Sequence, residues 1–562
     1  MLKNFLIITL ILNLICLPTS AAAQAKQKIS LLLHNGKVFT ADENYFTAEA
    51  VAVDGEKIVA VGKTNDLRAK YQATEEIDLK GKLVTPGFND AHVHFLRGAL
   101  SLLSVVLTDT KSLAEAQGKV AEKVKTTKAG EWINGRGWDH TIWKQNFPSK
   151  KDLDQIAPNN PVYLVRVDGH VAWVNSAALK LAKIDRNTKN PEGGEIERDV
   201  SGEATGILKE TAQGLVAGLI AQPDAAQMRK GLELALDMAR RYGITSVQDN
   251  SGYETTKLYR DFLRTDKLTV RVSEWQDFED SVEKLKAQRA EFDSFKEDKN
   301  RLKLTALKGY VDGTLGSRTA AMLAPFSDDA GNSGIPRRSQ EELNQMIVER
   351  SKAGFQIALH AIGDRANRMA LNGFALADNL KGDGIGIRIE RHRIEHAQVI
   401  SPSDFKRFEE LGVIASMQPS HAISDKRWAG ERLGEYRVLG AYAWHLMKSY
   451  NVHVPFGTDF PVESINPYNT LYAAVSRQDV GGEPVGGWQP QERLTMAEAI
   501  RCHTFESAYA EFAENVKGEI KVGMLADLVI HSKDLLTIEP KEILTTEPVY
   551  TIFNGKIIYE KR

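Results

Sequence analysis

Leu83-Val84-Thr85-Pro86-Gly87-Phe88-Asn89-Asp90-Ala91-His92-Val93-His94 decides how the rest of the chain is read. An apolar run closed by a His-x-His pair reads as a buried strand ending in two imidazoles. Strand side chains alternate between faces, so residues two apart point the same way, about 6.6 Å from each other along the strand. One metal ion can then take both His92 and His94; a plain polar strand end is the alternative. Three further groups close expected strands of their own: His360 after Ile357-Ala358-Leu359, His396 after Arg393-Ile394-Glu395, and Asp459 after Pro455-Phe456-Gly457-Thr458. Five ring or carboxylate groups, all ending strands, are hard to explain by accident.

Lys308 joins this set through alternation, since Leu304, Ala306, Lys308, Tyr310 and Asp312 share one face of their strand. Burial and neighbouring cations both push such a lysine towards its neutral form. A neutral amine can take up CO₂ to give an anionic carbamate that bridges two cations; a salt-bridged barrel lysine is the alternative. His392 lies four residues back from His396, about 13 Å deeper along the strand, and reads as structural. His503 falls in the helical pattern Met496–Ala510 and reads the same way.

From Pro86 onward the chain alternates strand and helix patterns, the signature of a parallel sheet covered by helices. After the His-x-His strand, further strands are expected at Ile244–Asp249, Leu268–Trp275, Leu304–Asp312, Gln356–His360, Arg391–His396, Val413–Gln418 and Val452–Asp459. Helices are expected at Ala225–Arg241, Gln340–Ala353 and Ser403–Leu411. Eight strands with crossover helices make an α/β fold, a (β/α)₈ TIM-like barrel whose chemistry sits at the C-terminal strand ends.

The two chain ends differ from this middle. Asn35-Gly36, Asp54-Gly55 and Asn554-Gly555 each stand between short β-type runs and suit hairpin turns. Strand patterns at both ends predict a composite β-sandwich built from the two termini. The expected organisation is a signal peptide at 1–23, sandwich at 24–84, barrel at 85–510 with an insertion at about 107–223, and sandwich again at 511–562. The signal reading rests on a basic start, an apolar run from Phe5 to Leu17 and the small residues Pro18 to Ala23. Cys16 falls inside it, which leaves only Cys502 in the mature chain and no internal disulfide, a pattern that fits a bacterial periplasm. A net charge of −2 gives no reason to invoke nucleic acid or an anionic membrane surface. No later stretch is long and apolar enough for an integral membrane segment.

Taken together, Asp90-Ala91-His92-Val93-His94, Leu359-His360-Ala361-Ile362-Gly363-Asp364, Arg393-Ile394-Glu395-His396-Ala397-Gln398 and Gly457-Thr458-Asp459-Phe460-Pro461 resemble metal-dependent hydrolases of the amidohydrolase superfamily. The similarity is to the amidohydrolase-3 branch that includes N-substituted formamide deformylase. It extends to the run Lys308 to Arg318, to Trp173-Val174-Asn175-Ser176-Ala177-Ala178-Leu179, and to Gly523-Met524-Leu525-Ala526-Asp527-Leu528. The resemblance implies zinc, one ion or two. His92, His94 and Asp459 would hold one, and His360 and His396 the other, with carboxylated Lys308 between them. It also implies attack by metal-activated hydroxide, with Asp459 moving the proton from water to the departing nitrogen. A His-rich donor set with few carboxylates favours zinc over magnesium or calcium independently of that resemblance.

For substrate contacts the sequence offers His170 in the insertion, Arg318 in the Gly-rich loop after the fourth strand, and His421 after the seventh. Each has a structural alternative, which for Arg318 is a fork to a carboxylate. Trp138 and Trp143 belong either to a lid or to the packing of the insertion. The reading that follows is a hydrolase of non-peptide carbon–nitrogen bonds acting on a small amide-like molecule. An esterase, lactonase or deaminase on the same site, or an exported solute-binding protein, are the alternatives. A homodimer is compatible with the sequence.

Overall fold

The computed structural model describes residues 25–561 except 109, 145, 167, 168, 170, 192 and 382–385. The expected signal segment therefore lies outside the described residues. Seven parallel strands form the barrel wall: β1 (Phe88–Val93), β2 (Ile244–Asp249), β3 (Arg271–Asp277), β4 (Leu302–Tyr310), β5 (Gln356–Ala361), β6 (Arg393–His396) and β7 (Ile414–Ser416), paired in sequence order. Their continuous burial matches a parallel sheet covered on both faces.

The eighth strand expected at Val452–Asp459 is not a strand. Residues 453–459 still close the barrel through a few backbone hydrogen bonds on each side. Met417 N–H donates to Pro455 O at 3.0 Å and Gly457 N–H to Met417 O at 3.1 Å, while Asp459 N–H donates to His92 O at 2.7 Å and Ala91 N–H to Phe456 O at 3.0 Å. Pro455 has no N–H to give a ladder, so the pairing cannot run continuously. Gly457 matters here: a Cβ on it would stand 2.5 Å from the His92 backbone nitrogen. Only glycine lets this segment press against the strand that carries the first ligand.

Capping explains where the covering helices begin. Asp224 and Gln227 form a reciprocal capping box at the start of Ala225–Arg241, as Ser339 and Glu342 do for Gln340–Lys352.

The described strands between Val105 and Glu210 form a separate six-stranded sheet. Its core holds Trp138, Trp143 and Trp173, with Trp138 and Trp173 edge-on at 6.0 Å. The indole N–H groups of Trp138 and Trp143 donate to Leu164 O and Thr110 O. These tryptophans pack the insertion rather than form a lid.

At the chain ends, one six-stranded sheet joins Lys37–Phe39, Thr47–Ala48 and Leu83–Pro86 to Leu528–His531, Pro548–Phe553 and Lys556–Glu560. A four-stranded sheet from the N-terminal part shares a hydrophobic cluster with it, including Leu31, Val51, Val84, Leu528 and Ile552. The Asp54-Gly55 and Asn554-Gly555 hairpins form as expected. Asn35-Gly36 does not make a hairpin. Gln27–His34 pairs within the four-stranded sheet and Lys37–Phe39 within the other, so the dipeptide turns the chain from one sheet into the next.

Arg271 fastens the barrel to this end unit. Its guanidinium forks onto Asp527 at 2.6 and 3.0 Å and also reaches Asn554 Oδ1 at 2.9 Å, with Arg271 and Asp527 both buried. Arg271→Ala leaves an uncompensated buried carboxylate and is expected to lower stability by about 3–5 kcal/mol. Chemical denaturation of the variant checks this, and a loss under 1 kcal/mol would refute the role.

Candidate metal centre

Residues from both ends of the barrel sequence meet at the mouth formed by the C-terminal strand ends. Among the described residues, donor atoms of His92, His396 and Asp459 all lie within 4.8 Å of one another. His94 Nε2 stands 3.3 Å and His92 Nε2 3.6 Å from Asp459 Oδ1, and Lys308 Nζ stands 3.3 Å from His92 Nε2. The His360 ring lies 4.6 Å from that of His396. All six ligands expected from the sequence are thus gathered together.

Ordinary strand geometry cannot deliver all of them. Glu395 points into the barrel, so its neighbour His396 should face the surrounding helices. His396 and Ala397 instead adopt left-handed backbone conformations, φ 73° and 43°, which turn the His396 ring into the mouth. Asp459 is also left-handed at φ 55°. Such conformations persist only where surrounding structure imposes them, and here they occur at His396 and Asp459 in the mouth.

Each imidazole is oriented by a partner on its other nitrogen. His92 Nδ1 is 2.5 Å from Glu395 Oε2, His94 Nδ1 is 3.1 Å from Asn250 O, and His396 Nδ1 is 2.8 Å from Gln418 Oε1. Acceptors at Nδ1 fix the proton there and leave Nε2 as the free lone pair. His360 is reversed: its Nε2 donates to Gly313 O at 2.9 Å, which leaves the lone pair on Nδ1. Glu395, Gln418 and Asn250 were not recognised from sequence as part of the site.

Electrostatics keep the His92, His360 and His396 rings neutral. Burial, with Lys308 adding to it, pushes His92 down to about 4 and His360 to about 3. Burial and then His360 hold His396 well below its ordinary value. Burial also brings Lys308 down to about 8, against the opposing pull of Glu395 and Asp459. Burial alone would raise Asp459, but the His94 side chain at 3.3 Å, and then His92, His396 and His421, hold it well below the usual carboxylate range. Neutral imidazoles with an ionised carboxylate are the protonation states that metal ligands require.

The donor set fits a transition metal. Around a tetrahedral ion with bonds of about 2.1 Å, neighbouring donor atoms stand about 3.4 Å apart. The 3.3 and 3.6 Å separations from Asp459 Oδ1 match that spacing. Asp459 Oδ1 is itself buried without a hydrogen-bond partner among the described residues, although two ring nitrogens are near it. A carboxylate oxygen in that state calls for a cation.

A cavity of about 360 Å³ opens over the cluster, lined on one side by Tyr310, Leu315 and Ile362 and on the other by His421, Asp425, Trp428 and Glu463. His421 stacks on His396 at 5.6 Å and its Nε2 lies 3.7 Å from Asp459 Oδ2, so it does line the site. Arg318 does not line this cavity. It forks onto Asp328 at 2.6 and 3.2 Å, the structural alternative noted for it. His170 lies outside the described residues. His392 is buried, its Nε2 2.8 Å from Glu390 Oε2 and its ring stacked on Phe374, and His503 bonds the Asn89 carbonyl at 3.2 Å; both are structural.

A barrel with this His/Asp cluster at its mouth defines the class of metal-dependent hydrolases. Residues 75–559 match the model of the amidohydrolase family, and the chain belongs to that family and is an enzyme of it. A second model, an imidazolonepropionase-like composite domain of bacteria, matches residues 50–71. The chain is 34% identical to Protein LONG AFTER FAR-RED 3 of Arabidopsis thaliana over 89% of its own length and 87% of that protein's. It is 27% identical to N-substituted formamide deformylase of Arthrobacter pascens, covering 95% and 99% of the two chains. The crystal structure of an uncharacterized metal-dependent hydrolase from Pyrococcus horikoshii superposes with a TM-score of 0.74 at 27% identity, covering 91% of this chain and 99% of that one.

Proposed function

We propose that the enzyme hydrolyses the carbon–nitrogen bond of a small amide, of the N-substituted formamide type, with zinc at the cluster. The observation that carries this is the meeting of His92, His94, His360, His396 and Asp459 at one strand-end mouth, beneath a cavity sized for a small molecule. The formamide deformylase relative, aligned over nearly the whole chain, supports the bond type. Zinc would sit on His92, His94 and Asp459, with a second ion on His360 and His396 and a carbamate on Lys308 between them. When bound, zinc polarises the substrate carbonyl and makes a water acidic enough to attack at neutral pH.

The protein's own groups supply the remainder. Asp459, ionised in the resting site, accepts the proton of the attacking water and returns it to the departing nitrogen. His421 stands beside Asp459 where it contacts the carbonyl oxygen or the leaving group. Glu395, Asn250 and Gln418 hold the rings so that no reorganisation is needed during turnover. The first 23 residues and the lack of a second cysteine in the mature chain support export to a bacterial periplasm. The composite-domain match at residues 50–71 supports reading the two end sheets as one sandwich.

A screen of N-formyl and N-acyl amines against esters, lactones and aminated heterocycles tests the bond type. Amide turnover that is lost on chelation and restored by zinc is the expected outcome. Turnover confined to the esters, lactones or heterocycles would overturn the amide reading. Metal analysis, with intact-mass measurement of the Lys308 peptide, reads the ion count and the carbamate.

A further inference from the structure

The lining of the cavity over the metal cluster includes two carboxylates besides Asp459. Asp425, in the helix Pro419–Arg437, and Glu463, four residues beyond Asp459, both line it. Each carboxylate is held in place by neutral donors. Asp425 Oδ2 accepts from Tyr442 Oη at 2.7 Å and from Gln398 Nε2 at 3.2 Å, and Glu463 Oε1 accepts from Ser424 Oγ at 2.6 Å. Neither has a Lys or Arg within ion-pair distance among the described residues; the adjacent Lys426 is committed to Asp479. Arg427 and Arg432 lie over the Trp428 ring, 4.1 and 5.2 Å from its centre, and do not line the cavity.

Lys308 is the one lysine or arginine among the lining residues, and it lies at the metal cluster between Glu395 and Asp459. Arg318, which could have received an anionic substrate group, is turned onto Asp328. The cavity is a ligand site on separate grounds, through the buried and unpartnered Asp459 Oδ1 at its floor. A substrate seated there meets both the metal cluster and two fixed carboxylates.

We propose that Asp425 and Glu463 form a subsite for a cationic nitrogen, so that the substrate is an amide bearing an ammonium or guanidinium group on its distal part. The assignment rests on the amidohydrolase reading of this same cavity. It follows from charge complementarity: two preoriented carboxylates attract a cation and repel a carboxylate group, so they both select and exclude.

The test uses the metal-loaded full-length enzyme with mono-N-formylated diaminopentane, the uncharged N-formylpentylamine, and a formylated amino acid of similar length. The cationic amide should exceed the uncharged one in kcat/KM by about tenfold or more, and the carboxylate-bearing amide should be poorest. Glu463→Gln and Asp425→Asn lie on separate segments, so one variant survives if the other misfolds. Each should move the cationic-to-uncharged ratio towards one. A ratio near one in the wild type, or one unmoved by both variants, overturns the proposal. Calorimetric binding of unmodified diaminopentane, weakened in both variants, reports the subsite without any amide cleavage. No amide turnover with that binding intact would sink the amide reading alone and sustain the cationic subsite.

Discussion

Asp459→Asn is expected to lower kcat by about 10³-fold or more while leaving the fold intact. The carboxamide keeps the side chain's shape, but it can neither accept the attacking water's proton nor offer an anionic oxygen to a cation. General acid–base catalysis by a positioned group is worth about 10²–10⁴ in rate. The geometry singles out this residue. Asp459 is within 3.7 Å of three imidazoles, and its carboxyl is held well below the usual range despite burial. Steady-state kinetics on a substrate from the amide screen would read the effect, with metal content measured in parallel. A kcat within tenfold of wild type would remove Asp459 from the chemistry.

Glu395→Gln should fail differently, through affinity and stability. Glu395 is fully buried, bonds His92 Nδ1 on one side and the Arg393 guanidinium on the other, and lies 303 positions from His92 in the chain. Burial opposes its ionisation, but Arg393 and then His92 outweigh that and bring its carboxyl down to about 2. Glutamine leaves the Arg393 charge buried without a counter-ion, which costs about 3–5 kcal/mol. It also frees the His92 ring, and loss of such an orienting partner typically weakens metal binding by about 10–100-fold. The two variants therefore separate the roles. Asp459→Asn should reduce turnover at saturating zinc, whereas Glu395→Gln should recover part of its activity as zinc is raised and should unfold at lower denaturant. Unchanged stability and zinc affinity in Glu395→Gln would contradict this.

Much of the site was legible because strand alternation is a strong local rule. His92 and His94 share a face by parity, Lys308 is placed by the same count, and strand patterns mark where His360, His396 and Asp459 sit. The orienting shell was not legible. Glu395, Gln418 and Asn250 look like ordinary polar residues near strand ends, and their partners are 22 to 303 positions away. For Glu395 alternation even misleads: next to His396, it should face the other way, and only the left-handed backbone at His396 brings both to one site. The barrel's closing segment was read as a strand because its apolar pattern fits one, yet Pro455 withholds the N–H that a ladder needs. Asn35-Gly36 carries the dipeptide of a hairpin, but pairing partners elsewhere, Val51–Val53 for one flank and Leu83–Val84 for the other, decide where the flanking strands go. Arg318 had a local signal that was available, an aspartate ten residues on in the same loop.

Anomalous diffraction at the zinc edge from crystals of the metal-loaded enzyme tests the central claim most directly. A peak bonded to His92, His94 and Asp459 is expected, with any second peak at His360 and His396. Loaded protein whose anomalous density lies elsewhere, or shows nothing at this mouth, would contradict it.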